Sequence, residues 1–406
     1  MKSNITKIRS LSICLLVIVN IYGGYFEKLI GISRQILLIF PIAIWIVSII
    51  LEKKIHFRRN HLYLSIILLS VCLVQTLVFQ NYTDIFSMLA YYSVFLLCGI
   101  NFKENDLEIT CKTIVLISMF MIGEAIFYYI MLQSWGWGTY NVRNFTIAPK
   151  EDYTILLSVA FVYLFLKFMS KKEQGLKRYA TIGLMILELG VNIIIIQSKT
   201  AIIIMILALV FIYKKSSNKQ KKKIHHICLA ALAVGIILVL SGQKYIPDFV
   251  YVFLNRYTGL FGNKIASIVN YSKYAGSYEQ RDSIYGYCIE LIMQHPIFGI
   301  GFGNFGKYSI LSSNSLISEL TQAESGVLGA FVNGGIFYGI LYLQIIIYPI
   351  IKGICNKKII DRDNNIFFLI IALTIIICVF TNDCESVTFW LIVGCLHSYS
   401  KLLKNC

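Results

Sequence analysis

The sequence predicts an all-α integral membrane protein with about twelve transmembrane helices, and three observations support this prediction. Of its 406 residues, 57% are hydrophobic and only 14% are charged, whereas soluble domains carry about 25% charged residues. The apolar residues fall in blocks of roughly 16–25, the length that crosses a hydrocarbon core about 30 Å thick. Basic residues recur in every second connection between blocks, as they do in cytoplasmic loops.

The apolar blocks, taken in chain order, define the predicted helices. They are residues 10–26, 35–51, 61–79, 84–100, 111–133, 153–169, 179–197, 200–213, 224–242, 323–350, 365–381 and 386–400. The first block is too long for a cleaved signal peptide, so we expect it to be retained. Because no linker separates the blocks, we expect residues 1–406 to form a single polytopic membrane domain. No internal repeat is visible, which gives no support to an inverted-repeat transporter.

The orientation follows from the placement of Lys and Arg. Basic residues precede the first block and follow the second, fourth, sixth, eighth, tenth and twelfth, so both ends of the chain are predicted to be cytoplasmic. This distribution accounts for the net charge of +16 without nucleic acid, which we do not expect as a partner. The six histidines and eleven cysteines are scattered, so the sequence predicts no metal site.

Two predicted outer connections are long. Residues 134–152 are polar and aromatic, and residues 243–322 form a large extracytoplasmic loop between the ninth and tenth helices. The second is rich in Tyr, Phe and Gly, and long ordered loops usually carry function. Within it, the spacing of apolar residues from Tyr278 to Gln294 predicts an amphipathic helix at the membrane interface. His295-Pro296 is expected to end that helix.

Three cations on the predicted outer side, Arg143, Lys199 and Arg281, are candidates for binding phosphate. The Arg side chain offers a bidentate fork for phosphate or diphosphate. The alternative is that these residues contact lipid headgroups or pair with neighbouring acidic residues.

Carboxylates form a second group of candidates. Glu124 and Glu188 fall near the middle of predicted helices, where a carboxylate is costly and marks a functional site. The alternatives are a protonated packing residue or a proton-coupled transporter. Glu324 begins the tenth predicted helix and could act as a general base, or it could simply complement the helix dipole.

A glycine-rich motif, GIGFGNFG, covers residues 299–306. It neither follows a strand nor opens a βαβ unit, so a nucleotide-binding role is rejected. Instead, we expect the glycines to allow tight turns and close packing beneath the tenth helix.

Several of these segments together resemble the O-antigen ligase/polymerase family, whose members polymerise or ligate undecaprenyl-diphosphate-linked polysaccharide. The main matching segments are Gln280-Arg281-Asp282, PIFGIGFGNF at 296–305, Ala323-Glu324-Ser325-Gly326 and Gly334-Gly335. Upstream, Ser198-Lys199-Thr200-Ala201 and Arg143-Asn144-Phe145 to Pro149 are similar to shorter family motifs.

The resemblance implies roles for individual residues. Arg143 and Arg281 would hold the diphosphate of the donor, assisted by Lys199, while Glu324 would orient or deprotonate the acceptor hydroxyl. Substrate would also be bound by Tyr278, Tyr285, His295 and Asn304, with the tyrosines stacking on sugar rings. No cofactor and no metal are implied.

Two departures from the family pattern favour a Wzy-type polymerase over a ligase. Lys199 stands where Arg is commoner, and Glu324 stands where ligases carry His. The expected function is therefore polymerisation of O-antigen, capsule or exopolysaccharide at the outer face of a bacterial cytoplasmic (inner) membrane. The alternatives are an O-antigen ligase or a transporter or flippase of lipid-linked sugars. Expected partners are undecaprenyl-diphosphate-linked oligosaccharide and polysaccharide, membrane lipid, a chain-length regulator and a flippase.

Overall fold

The computed structural model is mainly helical over its described residues. It describes residues 2–52, 55–101, 103–134, 150–169, 176–192, 276–312, 323, 325–355, 363–381 and 386–402, with scattered positions between 200 and 225. The helices are α1 Lys2–Ile30, α2 Arg34–Leu51, α3 Arg59–Phe79, α4 Tyr82–Cys98, α5 Glu104–Ser134, α6 Lys150–Met169, α7 Leu176–Gly190, α8 Gly276–Gln294, α9 Phe305–Ser309, α10 Gly326–Cys355, α11 Asp363–Thr381 and α12 Val387–Leu402. Over these ranges the only extended pairing is an isolated bridge between Phe57 and Ile100.

Most predicted apolar blocks coincide with these helices. The exceptions are 200–213 and 224–242, of which only scattered positions are described. Within the described residues, five helices are long and apolar enough to cross a membrane. They are Ile5–Ile30, Arg34–Leu51, Arg59–Phe79, Asp106–Met131 and Gly326–Lys352. Over its described residues the chain is thus a helical, multi-pass membrane protein, and the number of twelve spans stays a prediction.

The outward surfaces of the helices are apolar, as a hydrocarbon environment requires. Only 28% of the residues of α2 are buried within the protein. Its large side chains Ile39, Phe40 and Ile50 are exposed. Patches of this kind are rarely left open to water by soluble proteins. The face of α2 that packs inward includes Leu38 and Trp45.

The described residues group into two compact units. The first unit combines Met1–Ile117 with Glu279–Cys406, and the second is Ser118–Tyr278. Both boundaries fall inside helices, within α5 and α8, whereas boundaries between domains usually fall in exposed linkers. The single membrane domain expected from the sequence stays a prediction.

A buried ion network gathers several helix termini at one end of the first unit. The guanidinium of Arg9 lies 2.9 Å from Glu52 and 3.1 Å from Asp106, and donates to the Asn101 carbonyl at 2.9 Å. The network therefore brings together the start of α1, the end of α2 and the start of α5.

The end of α12 lies near the same end of the first unit. Ser398 donates to the carbonyl of Cys98, at the end of α4, at 2.6 Å. The positive-inside pattern assigned all of these termini to one side of the membrane, and the structure groups them accordingly. That this side is the cytoplasm stays a prediction.

Candidate functional site

The glycine-rich motif docks against a break in α10. At Gly335 the backbone takes φ 70° and ψ −170°, a region open almost only to glycine. The break leaves carbonyl groups of α10 without amide donors from their own helix, and amides of the motif take that place. The amide of Ile300 donates to the carbonyl of Val332 at 2.8 Å, and the amide of Gly301 donates to that of Asn333 at 2.9 Å.

The helix that resumes after the break is also tied to the motif. The amide of Ile336 donates to the carbonyl of Pro296 at 2.8 Å. A Cβ on Gly335 would collide with the carbonyl of Ile297, and one on Gly299 would lie 2.6 Å from the amide nitrogen of Gly335. The prediction that the glycines allow close packing against the tenth predicted helix is therefore confirmed.

Side chains from α3 and its C-terminal connection hold the other edge of the motif. The amide group of Gln75 donates to the carbonyl of Phe298 at 2.5 Å, and that of Asn81 donates to the carbonyl of Phe302 at 2.9 Å. These residues lie near the end of α3 that is remote from the Arg9 network. Since α3 has 21 residues, its two ends are about 31 Å apart. The motif and the ion network thus occupy opposite ends of the first unit.

Asn304, predicted to bind substrate, has an internal role in the described structure. Its side chain is buried. Its Nδ2 donates to the carbonyl of Ile300 at 2.9 Å, and its Oδ1 accepts from Lys307 Nζ at 2.9 Å. Asn304 therefore closes the turn that presents the motif to α10.

Helix α8 packs on the motif through the face that the sequence predicted to be apolar. It ends at Gln294, immediately before His295-Pro296, as expected. Tyr285, predicted to stack on a sugar, is partly buried against the cluster that this face forms. The buried members of the cluster are Ile284, Cys288, Leu291, Ile300, Phe305, Ala323 and Val332. The motif, α8 and α10 thus share one core.

Aromatic contacts join the end of α8 to α9. The ring of His295 lies edge-on to Tyr308, with ring centroids 5.5 Å apart, and the hydroxyl of Tyr287 donates to the Tyr308 carbonyl at 2.7 Å. Burial, with a smaller effect of Glu290, raises the pKa of Tyr287 above its ordinary value. Burial also raises the pKa of the Cys288 thiol to about 12, so this thiol is not a nucleophile at neutral pH.

The remaining predicted site residues are located only in part. Arg281 and Tyr278 lie on α8, where only their backbone is described. Arg281 precedes the buried Ile284 by one helical turn, and Ile284 shares the buried cluster with Ala323, the neighbour of Glu324 in sequence. Arg143, Lys199 and Glu324 themselves lie outside the described residues.

The two carboxylates in the second unit have different surroundings. Glu124 Oε2 accepts from the hydroxyl of Tyr153 at 2.9 Å. Glu188 is fully buried and accepts from Ser118 Oγ at 2.9 Å through Oε1, whereas its Oε2 has no partner. The side chain of Asn192 is also fully buried, and both its oxygen and its nitrogen lack partners.

Sequence reasoning had singled out Glu124 and Glu188 but not the polar residues around them. Asn192 could have been recognised only from its spacing, because it follows Glu188 by four residues on an apolar helix.

Comparison with known protein families identifies one matching region. Residues 183–343 match a family model described as O-antigen ligase. This region contains Lys199, α8, the glycine-rich motif and the break at Gly335, whereas Arg143 precedes it. No curated protein sequence matches the chain.

Proposed function

We propose that this chain, which belongs to the O-antigen ligase/polymerase family through residues 183–343, is a polysaccharide polymerase. Its substrates would be glycans carried on undecaprenyl diphosphate at the outer face of the bacterial cytoplasmic membrane. A growing chain would be transferred from its lipid carrier to a lipid-linked repeat unit. The product would be O-antigen, capsule or exopolysaccharide.

The observation that carries the proposal is the match to the family across the segment where α8 and the glycine-rich motif dock on α10. Backbone hydrogen bonds hold the motif on α10, α8 packs on the motif through its buried face, and rigid elements position reacting groups better than loops do. Arg281 lies on α8, one turn before the buried Ile284. This placement supports a role for Arg281 in binding a charged group of the substrate.

The reaction needs a base for the acceptor and a cation for the leaving group. The hydroxyl oxygen of the acceptor sugar attacks the anomeric carbon of the donor while the bond to the diphosphate oxygen breaks. The electron pair leaves with the diphosphate, whose charge Arg281 and Arg143 would neutralise with help from Lys199. The acceptor proton would pass to Glu324. Attack opposite the leaving group inverts the anomeric centre.

The proximity of Ala323 to α8 supports a joint role for Glu324 and Arg281. Ala323 and Ile284 pack in the same buried cluster, and each is close in sequence to one of the two proposed reacting residues. A base and a diphosphate-binding cation must flank one anomeric carbon, so their neighbours should share a core. Glu324 in place of the histidine of ligases favours polymerisation over ligation.

Electrophoresis of surface polysaccharide and extracted lipid-linked sugars, from cells with and without the protein, tests this function. We expect loss of the protein to abolish the polymer ladder and to leave single lipid-linked repeats on the outer leaflet. Accumulation of long lipid-linked chains would instead identify a ligase. Repeat units trapped on the cytoplasmic leaflet would identify a flippase and contradict the proposal.

The role of Arg281 is tested in the same assay by Arg281→Ala, with Lys273→Ala as a charge-matched control in the same predicted outer loop. We expect Arg281→Ala to abolish long polymer while the protein stays in the membrane, and Lys273→Ala to leave chain length near normal. A normal ladder from the Arg281 variant would refute its role.

A further inference from the structure

The second unit contains buried polar atoms that the proposed reaction does not use. Glu188 and Asn192 are separated by one helical turn, and both side chains are 0% exposed. The backbone widens into a π-turn at Val191 and Asn192. Such turns loosen the regular carbonyl pairing of a helix and are frequent at functional sites. The region therefore combines an unpartnered carboxylate oxygen, an unpartnered amide and a relaxed backbone.

No basic side chain of the surrounding helical segments neutralises Glu188. The segments 118–131, 153–166 and 179–192 contain no Lys, Arg or His. Among the described residues, the only hydrogen bond to Glu188 comes from Ser118. A carboxyl group within an apolar helix is neutralised by a basic partner, by a proton or by a bound cation. With no basic residue in these segments, the carboxyl of Glu188 is neutralised either by a proton or by a bound cation.

We propose that Glu188 and Asn192 form a binding site for a monovalent alkali-metal cation. The ligands would be Glu188 Oε2 and Asn192 Oδ1, both unpartnered, with a carbonyl freed by the π-turn. A water molecule bound to the ion would accept from Asn192 Nδ2, the third unpartnered atom. One cation would neutralise one carboxylate and satisfy the polar atoms together.

The donor set selects this class of ligand over other metals. Every donor is an oxygen, which suits a hard cation, whereas zinc and copper favour imidazole or thiolate. Calcium takes six to eight oxygens, often from several carboxylates, but only one carboxylate is present here. Within the described residues no group of three or more His, Cys, Asp or Glu is placed to hold a metal ion. A single positive charge matches the single carboxylate.

Thermal unfolding of the purified full-length protein tests the site, with Trp fluorescence as the readout. Sodium, lithium, potassium and choline chlorides are compared at equal ionic strength. A ligand that binds only the folded state raises its stability. We expect at least one alkali-metal ion to raise the midpoint by about 2 °C over choline. Equal midpoints in all four salts would overturn the proposal.

Three variants separate this site from a general salt effect. Glu188→Gln removes the charge and Asn192→Leu removes the amide oxygen, and we expect each to abolish the difference between the alkali-metal salt and choline. Glu124→Gln is the matched control, because Glu124 is the carboxylate bonded to Tyr153; it should keep the full response. A response that survives in both site variants would also overturn the proposal. Should either variant fail to fold, the wild-type comparison still decides.

Discussion

The two units differ in how their buried charged groups are paired. In the first unit, the Arg9 network and the docked glycine-rich motif pair charges and backbone groups across distant segments of the chain. In the second unit, Glu188 and Asn192 leave three buried polar atoms without partners. A satisfied polar group in an apolar protein holds the architecture together. A buried carboxyl without an ionic partner can instead bind a ligand, which is why we assign an architectural role to the Arg9 network and a binding role to Glu188 and Asn192.

The largest expected effect comes from removing Arg9. Arg9→Ala would leave Asp106 buried without its ionic partner, which costs about 3–5 kcal/mol of unfolding free energy. Glu188→Gln, measured in choline, should instead change stability by less than about 1 kcal/mol, because that carboxylate has no ionic partner to lose. Denaturant or thermal unfolding in detergent measures both variants.

The exposed pair between Lys112 and Glu108, 2.9 Å apart, is the control for the Arg9 variant. Lys112→Ala should cost about 0.5 kcal/mol or less, because exposed ion pairs contribute little. If Arg9→Ala were as mild as Lys112→Ala, the network would not be architectural and the comparison between the units would fail.

A smaller loss is expected from substituting Gly335. Gly335→Ala places a side chain at φ 70° and ψ −170°, which costs about 1–3 kcal/mol in strain, and the added Cβ collides with the carbonyl of Ile297. Gly123→Ala is the control, since nothing lies within 4 Å of the added atom. Comparable thermal midpoints for the two variants would show that the break in α10 does not need glycine.

The smallest effect concerns acid stability at the Arg9 network. Burial alone would raise the pKa of Glu52, but the hydrogen bond from Lys103 and the charge of Arg9 bring it below the ordinary 4.5. A carboxyl with a lowered folded-state pKa stabilises the fold above its unfolded pKa, and that contribution is lost as the pH falls. Stability should therefore decline below pH 4.5, and Glu52→Gln should flatten this part of the profile. An unchanged profile in the variant would contradict the assignment.

The spacing of apolar residues and the residues that end helices predicted much of the fold. Apolar blocks located most helices, and the spacing of Ile284, Cys288 and Leu291 with the following His295-Pro296 gave both the inward face and the end of α8. These patterns involve residues close together in sequence, so they can be recognised without knowledge of the tertiary structure.

The docking of the motif was predicted only in outline. Glycines indicated close packing, but the break at Gly335 depends on hydrogen bonds from Ile300 to Val332, more than thirty residues away in sequence. The internal hydrogen bonds of Asn304 to Ile300 and Lys307 were also not predicted, and its expected role in binding substrate stays a prediction. Contacts between distant segments leave no periodic signal in a single sequence.

The central claim is tested most directly by reconstituting the purified protein in liposomes with lipid-linked repeat units as its only substrate. We expect wild-type protein to form a ladder of longer lipid-linked chains and to release undecaprenyl diphosphate. Arg281→Ala should form neither product, and Lys273→Ala should form both. Repeat units that remain monomeric with folded, correctly inserted wild-type protein would contradict the claim that this chain polymerises glycans.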